Sequence, residues 1–332
     1  MQEPYKVSLL IPVYGVENQI ERCAISLFEQ SYQNIEYVFV DDNTKDRSIT
    51  ILREAMRRYP HRHNAIKLVR HQVNKGIAAT RNTLIEEATG EFLIFVDSDD
   101  WIEPFMVENC VKEQMSSQAE IVSTDYLIHY SYGTEYKQTI RCWDTSEVLR
   151  QSLQKSIEQH VWGRLIKVSL FKDNHIRLLE GCNFAEDVVA MSFLFYYAQK
   201  HSVVPKALYN YEDRNDTSYT KTFSYRSSEQ SLENLHYVTK FLIEKDAVFE
   251  SIVSIAELRM IALHMYRCSQ CPSNRNYYDS VLLPLLSKHK HTEWIQVPLK
   301  YRVILFLHNF KIVGAYSKTT KCLKRIYENL LS

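Results

Sequence analysis

Short apolar segments alternate with helical patterns along the first 125 residues of the chain. Residues 7–13, 35–40, 66–69 and 92–96 are nearly continuous apolar runs, separated by stretches whose apolar side chains recur at helical spacing. A strand with one wet face alternates apolar and polar residues, whereas these runs are apolar on both faces. The pattern therefore predicts an α/β fold, with a mostly parallel sheet covered by flanking helices.

The pattern changes after about residue 126, where the chain becomes aromatic and polar. The segment TDYLIHYSYGTEYKQ predicts an excursion or a short hairpin. The later predicted elements are helices at 144–157 and 185–200, a strand at 202–211, and helices from about residue 225 to the end. The chain is therefore expected to end in a helical appendage.

The composition gives no global hint of a partner. Forty basic and forty acidic residues cancel, so nothing indicates a nucleic-acid binder. The start MQEPYKVSLLIPVY lacks the pattern of a signal peptide, and the longest apolar run, 188–198, is too short to cross a bilayer. We therefore expect a cytoplasmic protein with reduced cysteines, and Cys268 with Cys271 lacks the further ligands of a zinc site.

Three carboxylates, Asp97, Asp99 and Asp100, follow the apolar run at 92–96 in the stretch FVDSDDW. Such close charges must be solvated, paired with cations or bound to a metal. Oxygen ligands suit Mg²⁺ or Mn²⁺, which take further ligands from substrate phosphates and water. Acidic turns are also common on protein surfaces, so the residues alone leave both interpretations open.

The glycines indicate how phosphates would be held. The chain has seven glycines and neither GxxxxGKS nor GxGxxG, so backbone phosphate cradles are not expected. A bound phosphate would need a metal and side chains. Among the glycines, Gly90 ends the predicted helix that begins near Gly76, where it suits a left-handed cap.

Two segments carry a resemblance to a known family: IPVYGVENQIERCAISLFEQSYQNIEYVFVDDNTKDRS and NKGIAATRNTLIEEATGEFLIFVDSDDW. They resemble family 2 glycosyltransferases of the Rossmann-like GT-A fold, inverting enzymes that use nucleotide-activated sugars to build bacterial surface polysaccharides. The resemblance is dense over residues 5–125 and thinner to about 220. It implies a GT-A domain at 1–222, with a nucleotide-sugar half at about 1–125 and an acceptor half at about 126–222, followed by a helical region at 223–332.

The resemblance implies a pocket for the donor nucleotide. It is lined by Pro12, Val13, Tyr14, Asp41, Asp42, Asn74, Gly76 and Arg81. Asp42 would face the uracil ring or the ribose, since a carboxylate can accept from a base N–H. Asp99 would be the direct ligand of Mn²⁺ or Mg²⁺, Asp97 would contact the ribose or a metal-bound water, and Asp100 would orient its neighbours.

The resemblance also implies residues for the acceptor and the leaving group. In FAEDVV, Asp187 would be the general base with Glu186 beside it, although acids also suit an ordinary first helical turn. Trp162 would stack on a sugar or lie in the core. In YEDRNDTSYT, Arg214 and Ser218 would hold the diphosphate, the alternative for Arg214 being a surface turn.

Residues 299–332 combine apolar clusters with seven Lys or Arg and one acid, Glu328. This pattern predicts either an amphipathic basic helix on the inner face of an anionic membrane or a helix packed on its neighbours with a solvated basic face.

Three functions follow from these features. The first is a metal-dependent hexosyltransferase that moves a sugar, with UDP as the expected carrier, to a glycan or a lipid-linked acceptor. The second is a sugar nucleotidyltransferase, which normally needs a glycine-rich loop that PVYGVENQ is not. The third is a catalytically silent nucleotide-sugar-binding subunit of a polysaccharide-assembly complex, which the presence of both Asp99 and Asp187 disfavours.

Overall fold

Two compact units make up the chain in the computed structural model. Residues 1–148 with 160–215 form the first unit, and residues 149–159 with 216–332 form the second. Our predicted division after residue 222 stays a prediction; the compact units divide between residues 215 and 216, and the short segment 149–159 belongs to the C-terminal unit. The described residues are 4–155, 159–214, 224–270, 272–307, 312–315 and 318–319.

A nine-stranded sheet is the centre of the first unit, within the residues described. Its strands are β1 (Val7–Val13), β2 (Ile35–Asp41), β3 (Ile66–Arg70), β4 (Phe92–Phe95), β5 (Trp101–Ile102), β6 (Ile121–Tyr130), β7 (Gly133–Lys137), β8 (Arg164–Lys167) and β9 (His201–Glu212). They lie in the order β3-β2-β1-β4-β8-β6-β9-β5, and β7 pairs with β6.

β1 is the middle of the parallel half of this sheet. It pairs in parallel with β2, from Val7 opposite Ile35 to Val13 opposite Asp41, and in parallel with β4 on its other side. β3 pairs in parallel with β2. β8 then pairs antiparallel with β4 and with β6, and β6 pairs in parallel with β9. The predicted α/β class is confirmed, and antiparallel pairs enter where the strand and helix alternation weakens.

Burial explains why β1 and β2 have no polar alternation. Every residue of both strands is buried. The helix after β1 packs its apolar face, spaced at three and four residues, into this core, as Ile20, Cys23, Leu27 and Phe28 show. Because both faces of the strands are covered, ligand access is left to the ends of the strands.

Helices cover the sheet and form the second unit. They are α1 (Ile20–Phe28), α2 (Ser48–Arg57), α3 (Ile77–Glu87), α4 (Met106–Ser117), α5 (Thr145–Lys155), α6 (Val168–Asp173), α7 (Glu186–Tyr197), α8 (Tyr225–Lys245), α9 (Glu250–Cys268), α10 (Arg275–Tyr277), α11 (Leu283–Leu286), α12 (His291–Trp294) and α13 (Leu299–Leu307). A π-helical segment, Tyr278–Leu282, joins α10 to α11, and 3₁₀ turns lie at Pro60–Ala65, Ala247–Phe249 and Pro272–Asn274. The predicted helices at 144–157 and 185–200 correspond to α5 and α7.

The prediction of a left-handed cap at Gly90 is wrong. α3 already ends at Glu87, and Gly90 is not among the glycines with positive φ. Glycine is required there by a close approach, since a Cβ would lie 2.6 Å from the carbonyl oxygen of Lys6 and 2.7 Å from Ser8 Oγ.

The second unit has an apolar core of its own. Side chains from α9, the π-helical segment and α13 meet in it, among them Met265, Leu282 and Leu305. α8 begins with a capping box at Ser224, whose hydroxyl accepts from the backbone N–H of Ser227. Among the residues that the structure describes, no helix is both long and apolar enough to span a membrane.

Candidate active site

The carboxyl ends of the parallel strands bring the predicted donor residues to one edge of the sheet. Tyr14 follows β1, Asp41 closes β2, and Asp97 comes two residues after the end of β4. Tyr14 is 55% exposed, whereas Pro12 and Val13 are buried in β1. Only Tyr14 of these three can therefore offer its side chain to a ligand without a change in β1.

Asp42 and Asp41 are buried and brace the loops at this edge. Asp42 accepts from His71 Nδ1 at 2.7 Å and from the backbone N–H groups of Lys75 and Gly76, both at 2.8 Å. Asp41 accepts from the backbone N–H of Thr44 at 2.8 Å. Both carboxylate oxygens of Asp42 are thus engaged within the protein, and its contact with the nucleotide base stays a prediction.

Gly76 has two reasons to be glycine. Its φ is +86°, and a Cβ would lie 2.1 Å from the side-chain nitrogen of Asn183. Asn183 in turn accepts from the backbone N–H of Ala78 at 3.2 Å, at the start of α3. Asn74, in the same loop, is exposed. Sequence reasoning missed Asn183, because only the fold brings it to this loop.

Arg81 joins the two acidic motifs. Its Nη2 donates to Asp97 Oδ1 at 3.0 Å, and its Nη1 donates to Glu186 Oε1 at 2.5 Å and also to Asp187 Oδ1. The Arg81 side chain is only 4% exposed. The sequence predicted it as a nucleotide-pocket residue; here one guanidinium connects α3, residues 97–100 (the DSDD turn) and the start of α7.

The three carboxylates of the DSDD turn differ in environment. Asp100 is fully buried and accepts from Tyr209 Oη at 2.6 Å and from the backbone N–H of Glu212 at 2.8 Å, so it ties the turn to β9. Asp97 is partly exposed and paired with Arg81. Asp99 is partly buried, and no described residue forms an ion pair with its carboxylate. Burial, together with the negative charge of Asp97, raises the pKa of Asp99 to about 6.

The metal expectation can be tested against this donor set. Among the described residues, no group of three or more His, Cys, Asp or Glu is arranged to hold a metal ion. Asp99 and Asp97 remain as two neighbouring oxygen donors, one without a cationic partner and both close enough to repel. Mg²⁺ and Mn²⁺ use such sparse carboxylate sets when a diphosphate completes the shell, so the residues fit a metal shared with a substrate.

Glu186 and Asp187 begin α7, as the resemblance implied. Ala185 just before them has φ of 60°, a left-handed conformation that is uncommon for alanine and typical of strained positions near functional sites. The Glu186 side chain is 10% exposed and that of Asp187 is 21% exposed. Burial outweighs the nearby Arg81 and raises the pKa of Glu186.

Trp162 lies in a stack of aromatic rings. His160 lies 3.7 Å from it and Tyr209 4.4 Å, centroid to centroid, each within 13° of parallel, and Tyr126 meets it edge-on. Trp162 is 7% exposed. This environment favours the core interpretation of Trp162, and its contact with a sugar stays a prediction.

Arg214 is held at the end of β9. Its Nε and Nη2 donate to the two oxygens of Glu212 at 2.6 and 2.5 Å, and its side chain is half exposed. The hydrogen bonds from Arg214 outweigh burial and lower the pKa of Glu212 to about 2. Ser218, the other predicted diphosphate residue, lies outside the described residues.

Sequence reasoning also missed Arg22 on α1. Its Nη2 donates to the carbonyl oxygen of Asp99 at 2.9 Å, and its Nη1 pairs with Glu212 at 3.0 Å. Its guanidinium carbon lies 3.7 Å from the centre of the Trp101 ring. A lone arginine on a helix carries no local sequence signal, so only the fold reveals these contacts.

Comparisons with known proteins show the family to which the chain belongs. The family model "Glycosyl transferase family 2" matches residues 8–177. The uncharacterized glycosyltransferase EpsJ of Bacillus subtilis is 30% identical over 222 residues, which are 65% of this chain and 63% of EpsJ. The chain therefore matches less than two thirds of that relative's length.

Two solved structures show the same fold. Staphylococcus aureus TarS 1–349 in complex with UDP has a TM-score of 0.69 at 19% identity, over 96% of this chain and 91% of that one. The mannosyltransferase PcManGT of Pyrobaculum calidifontis, in complex with GDP-Man and Mn²⁺, has a TM-score of 0.53 at 18% identity, over 94% and 86%. These likenesses confirm the fold that the N-terminal segments implied. Because the family model covers more than half of its 332 residues, this chain belongs to glycosyl transferase family 2.

Proposed function

We propose that this protein is an inverting glycosyltransferase that moves a sugar from a UDP donor to a hydroxyl of a glycan or lipid-linked acceptor, in the biosynthesis of a bacterial surface polysaccharide. One observation carries the proposal: Arg81 contacts Asp97 of the DSDD turn and Asp187 of α7 at once. The predicted donor residue and the predicted base therefore belong to one site, which a transfer between two bound substrates requires.

The donor end of the site is assigned to Asp99, Asp97 and Arg214. Asp99, helped by Asp97, would hold Mn²⁺ or Mg²⁺, which when bound would neutralise charge on the departing diphosphate. Two features support this role for Asp99: no described residue forms an ion pair with its carboxylate, and its pKa is raised by burial and by Asp97. Arg214 keeps part of its guanidinium exposed beside the turn and would donate to the diphosphate.

Asp187 is the better of the two candidate bases. Its Oδ1 is held by Arg81, whereas among the described residues its Oδ2 receives a single contact, at 3.4 Å from the backbone N–H of Val161. Oδ2 is thus available to accept the proton of an acceptor hydroxyl. Glu186 is more deeply buried, and its pKa is raised above the ordinary value. We assign Glu186 to holding Arg81 in place.

The reaction would be a single displacement at the anomeric carbon. The acceptor oxygen attacks from the face opposite the diphosphate while Asp187 takes its proton, and the diphosphate leaves with the electrons of the broken bond. One displacement inverts the anomeric configuration and needs no covalent intermediate on the protein.

Contact with a membrane surface fits a lipid-linked acceptor. On α13, Leu299 is 69% exposed and Phe306 is 52% exposed, with the exposed Lys300 beside them. Apolar side chains next to a cation suit the interface of an anionic bilayer. We infer that the protein works at the inner face of the membrane.

A panel of UDP-sugars tests the proposal. The purified protein would be mixed with Mn²⁺ and UDP-glucose, UDP-galactose, their N-acetyl forms or UDP-glucuronate, and the products identified by mass spectrometry. Release of UDP and sugar, or transfer to an added acceptor, supports a transferase. Pyrophosphorolysis would instead indicate a nucleotidyltransferase, and donor binding without turnover a silent subunit.

Asp187→Asn is the first variant to compare with wild type. We expect turnover to fall by about 10² to 10⁴-fold, because general base catalysis contributes on that order. UDP binding should persist, since Asp99, Asp97 and Arg214, the residues assigned to the diphosphate and its metal, are unchanged. Transfer at the wild-type rate would show that Asp187 is not the base.

A further inference from the structure

Arg22 meets three separate parts of the candidate site from α1. Its two terminal nitrogens reach the carbonyl oxygen of Asp99 at 2.9 Å and the carboxylate of Glu212 at 3.0 Å. Its flat face covers the Trp101 ring at 3.7 Å. The side chain is 38% exposed, so it lies at the surface of the site rather than in the core. No role follows for Arg22 from the motifs of the sequence.

The contact with Asp99 is made to its backbone and not to its carboxylate. The DSDD turn is closed by the backbone N–H of Asp100, which donates to the carbonyl oxygen of Asp97 at 3.0 Å. Arg22 adds a hydrogen bond to the carbonyl oxygen of Asp99, so a side chain from α1 also holds the turn. No described residue forms an ion pair with the Asp99 carboxylate. An arginine in this place therefore holds the backbone of the turn at Asp99 and leaves the Asp99 carboxylate outside any ion pair among the described residues.

Glu212 connects Arg22 to Arg214. One Glu212 carboxylate accepts from both arginines, at 3.0 Å from Arg22 and at 2.5 and 2.6 Å from Arg214. The Glu212 backbone N–H is bound to Asp100 at 2.8 Å, so the carboxylate starts from a fixed point. Glu212 occupies the Nε and Nη2 edge of Arg214, so, among the described residues, the Nη1 donors are the ones left for another anion.

We propose that Arg22 is a positioning residue for the donor diphosphate. Its contact with Asp99 holds the turn that carries the predicted metal ligand. Its contact with Glu212 holds Arg214, the arginine that would meet the phosphates. The metal ligand and Arg214 are therefore kept at a fixed separation before the donor binds. This inference rests on the proposed function. A fixed separation lowers the ordering cost of binding, so the loss of Arg22 should weaken the binding of UDP with metal and also slow turnover.

The first test compares Arg22→Gln with Arg58→Gln. Arg58 pairs with Glu21 of α1 on the exposed surface, so its loss removes an ion pair that involves neither the turn nor Glu212. Calorimetry would measure the affinity for UDP in the presence of Mn²⁺. Electron paramagnetic resonance would measure the affinity for Mn²⁺ in the presence of UDP. We expect Arg22→Gln to weaken both by about tenfold, a loss typical of a charge-assisted hydrogen bond. Arg58→Gln should match the wild type.

Arg22→Lys distinguishes a loss of positioning from a general loss of stability. A lysine keeps the positive charge but cannot reach both oxygens in the fork geometry of arginine. We expect it to restore the thermal midpoint if Arg22→Gln lowers it, and to leave UDP binding weak. Full recovery of UDP affinity in Arg22→Lys would mean that charge alone matters and would overturn the positioning role.

A double variant tests the connection through Glu212. If Arg22 acts partly through Glu212, Glu212→Gln should weaken UDP binding by a smaller factor in the Arg22→Gln background than in the wild-type background. Equal losses in both backgrounds would overturn the connection. Should wild type itself bind no UDP with Mn²⁺, the proposed function fails; if wild type binds and Arg22→Gln binds equally well, only the present inference fails.

Discussion

Single residues at this site show how the backbone limits what a side chain can do. Gly76 combines a φ of +86° with a Cβ position 2.1 Å from the amide of Asn183. Gly181 has a similar φ of +90° and no atom of a described residue within 4 Å of its Cβ position. Comparing the two glycines therefore separates the free-energy cost of a left-handed backbone from the free-energy cost of a steric clash.

We predict that Gly181→Ala destabilises the protein by about 1 kcal/mol, the cost of alanine in the left-handed region. Gly76→Ala should cost about 1–3 kcal/mol more, because the Asn183 side chain must leave the start of α3. It should also weaken UDP binding, since the loop that Asp42 holds would shift. Chemical denaturation and calorimetry measure the two effects, and equal destabilisation by both variants would contradict the steric argument.

The residues that could be predicted from the sequence were those in motifs. The FVDSDDW stretch after an apolar run places Asp97 and Asp99 at a strand end, and the resemblance to the family adds Asp187. Arg22, Asn183 and Glu212 could not be found in this way. The contacts of Arg22 with Asp99, of Asn183 with Ala78 and of Glu212 with Asp100 join residues 77, 105 and 112 positions apart, and such contacts leave no local pattern.

At the level of helices and strands, one buried polar network fixes how β1, β2 and the segment before β4 meet. Glu36 of β2 accepts from Lys6 Nζ at 2.8 Å and from the backbone N–H of Gly90 at 3.1 Å, and also from Ser8 and Thr89. The hydrogen bonds from Lys6, Ser8 and Thr89 outweigh burial and lower the pKa of Glu36 to about 2. The apolar runs predicted the strands, but not this polar network that joins their ends.

This lowered pKa gives a stability that depends on pH. Glu36 stays ionised in the folded protein down to about pH 2, whereas its ordinary pKa is 4.5, so its contribution is complete above pH 4.5 and is lost as the pH falls from there towards 2. We expect Glu36→Gln to lower the free energy of unfolding at pH 7 by about 1–2 kcal/mol, allowing for partial screening of Lys6. The variant should also lose part of the decline between pH 4.5 and 2.

Glu21→Gln is the control, because its ion pair with Arg58 is exposed on both sides. Such a surface pair contributes little, so this variant should keep the wild-type pH profile. Urea denaturation at several pH values measures both variants. A Glu36→Gln profile parallel to that of wild type would show that Glu36 does not titrate as we argue.

For the whole molecule, the two units differ in how far their sequences could be interpreted. The family model ends at residue 177, and the long helices α8 and α9 lie beyond it. Helical periodicity predicts that such helices exist, because it reports which face is apolar. It does not say which partner covers that face, so neither the acceptor nor the role of α13 follows from the pattern.

α13 is apolar on two opposite faces. Tyr301, Ile304 and Leu305 are buried in the second unit, whereas Leu299 and Phe306 are exposed. Residues on a helix are about 100° apart, which places the exposed pair opposite the buried three. A helix with only water on its outer face would carry polar residues there. An anionic lipid surface would cover the exposed apolar pair and attract the exposed Lys300 next to Leu299.

We predict that Leu299→Gln with Phe306→Gln lowers partitioning onto vesicles with about one third phosphatidylglycerol by about tenfold or more, since each side chain loses part of the transfer energy of a buried apolar residue. Val248→Ser is the matched control, because Val248 is 64% exposed elsewhere in the same unit. Co-sedimentation with the vesicles measures binding, and thermal unfolding checks that the fold persists. Unchanged binding of the double variant would exclude α13 as the membrane contact, and a change in sedimentation velocity without vesicles would assign the face to self-association instead.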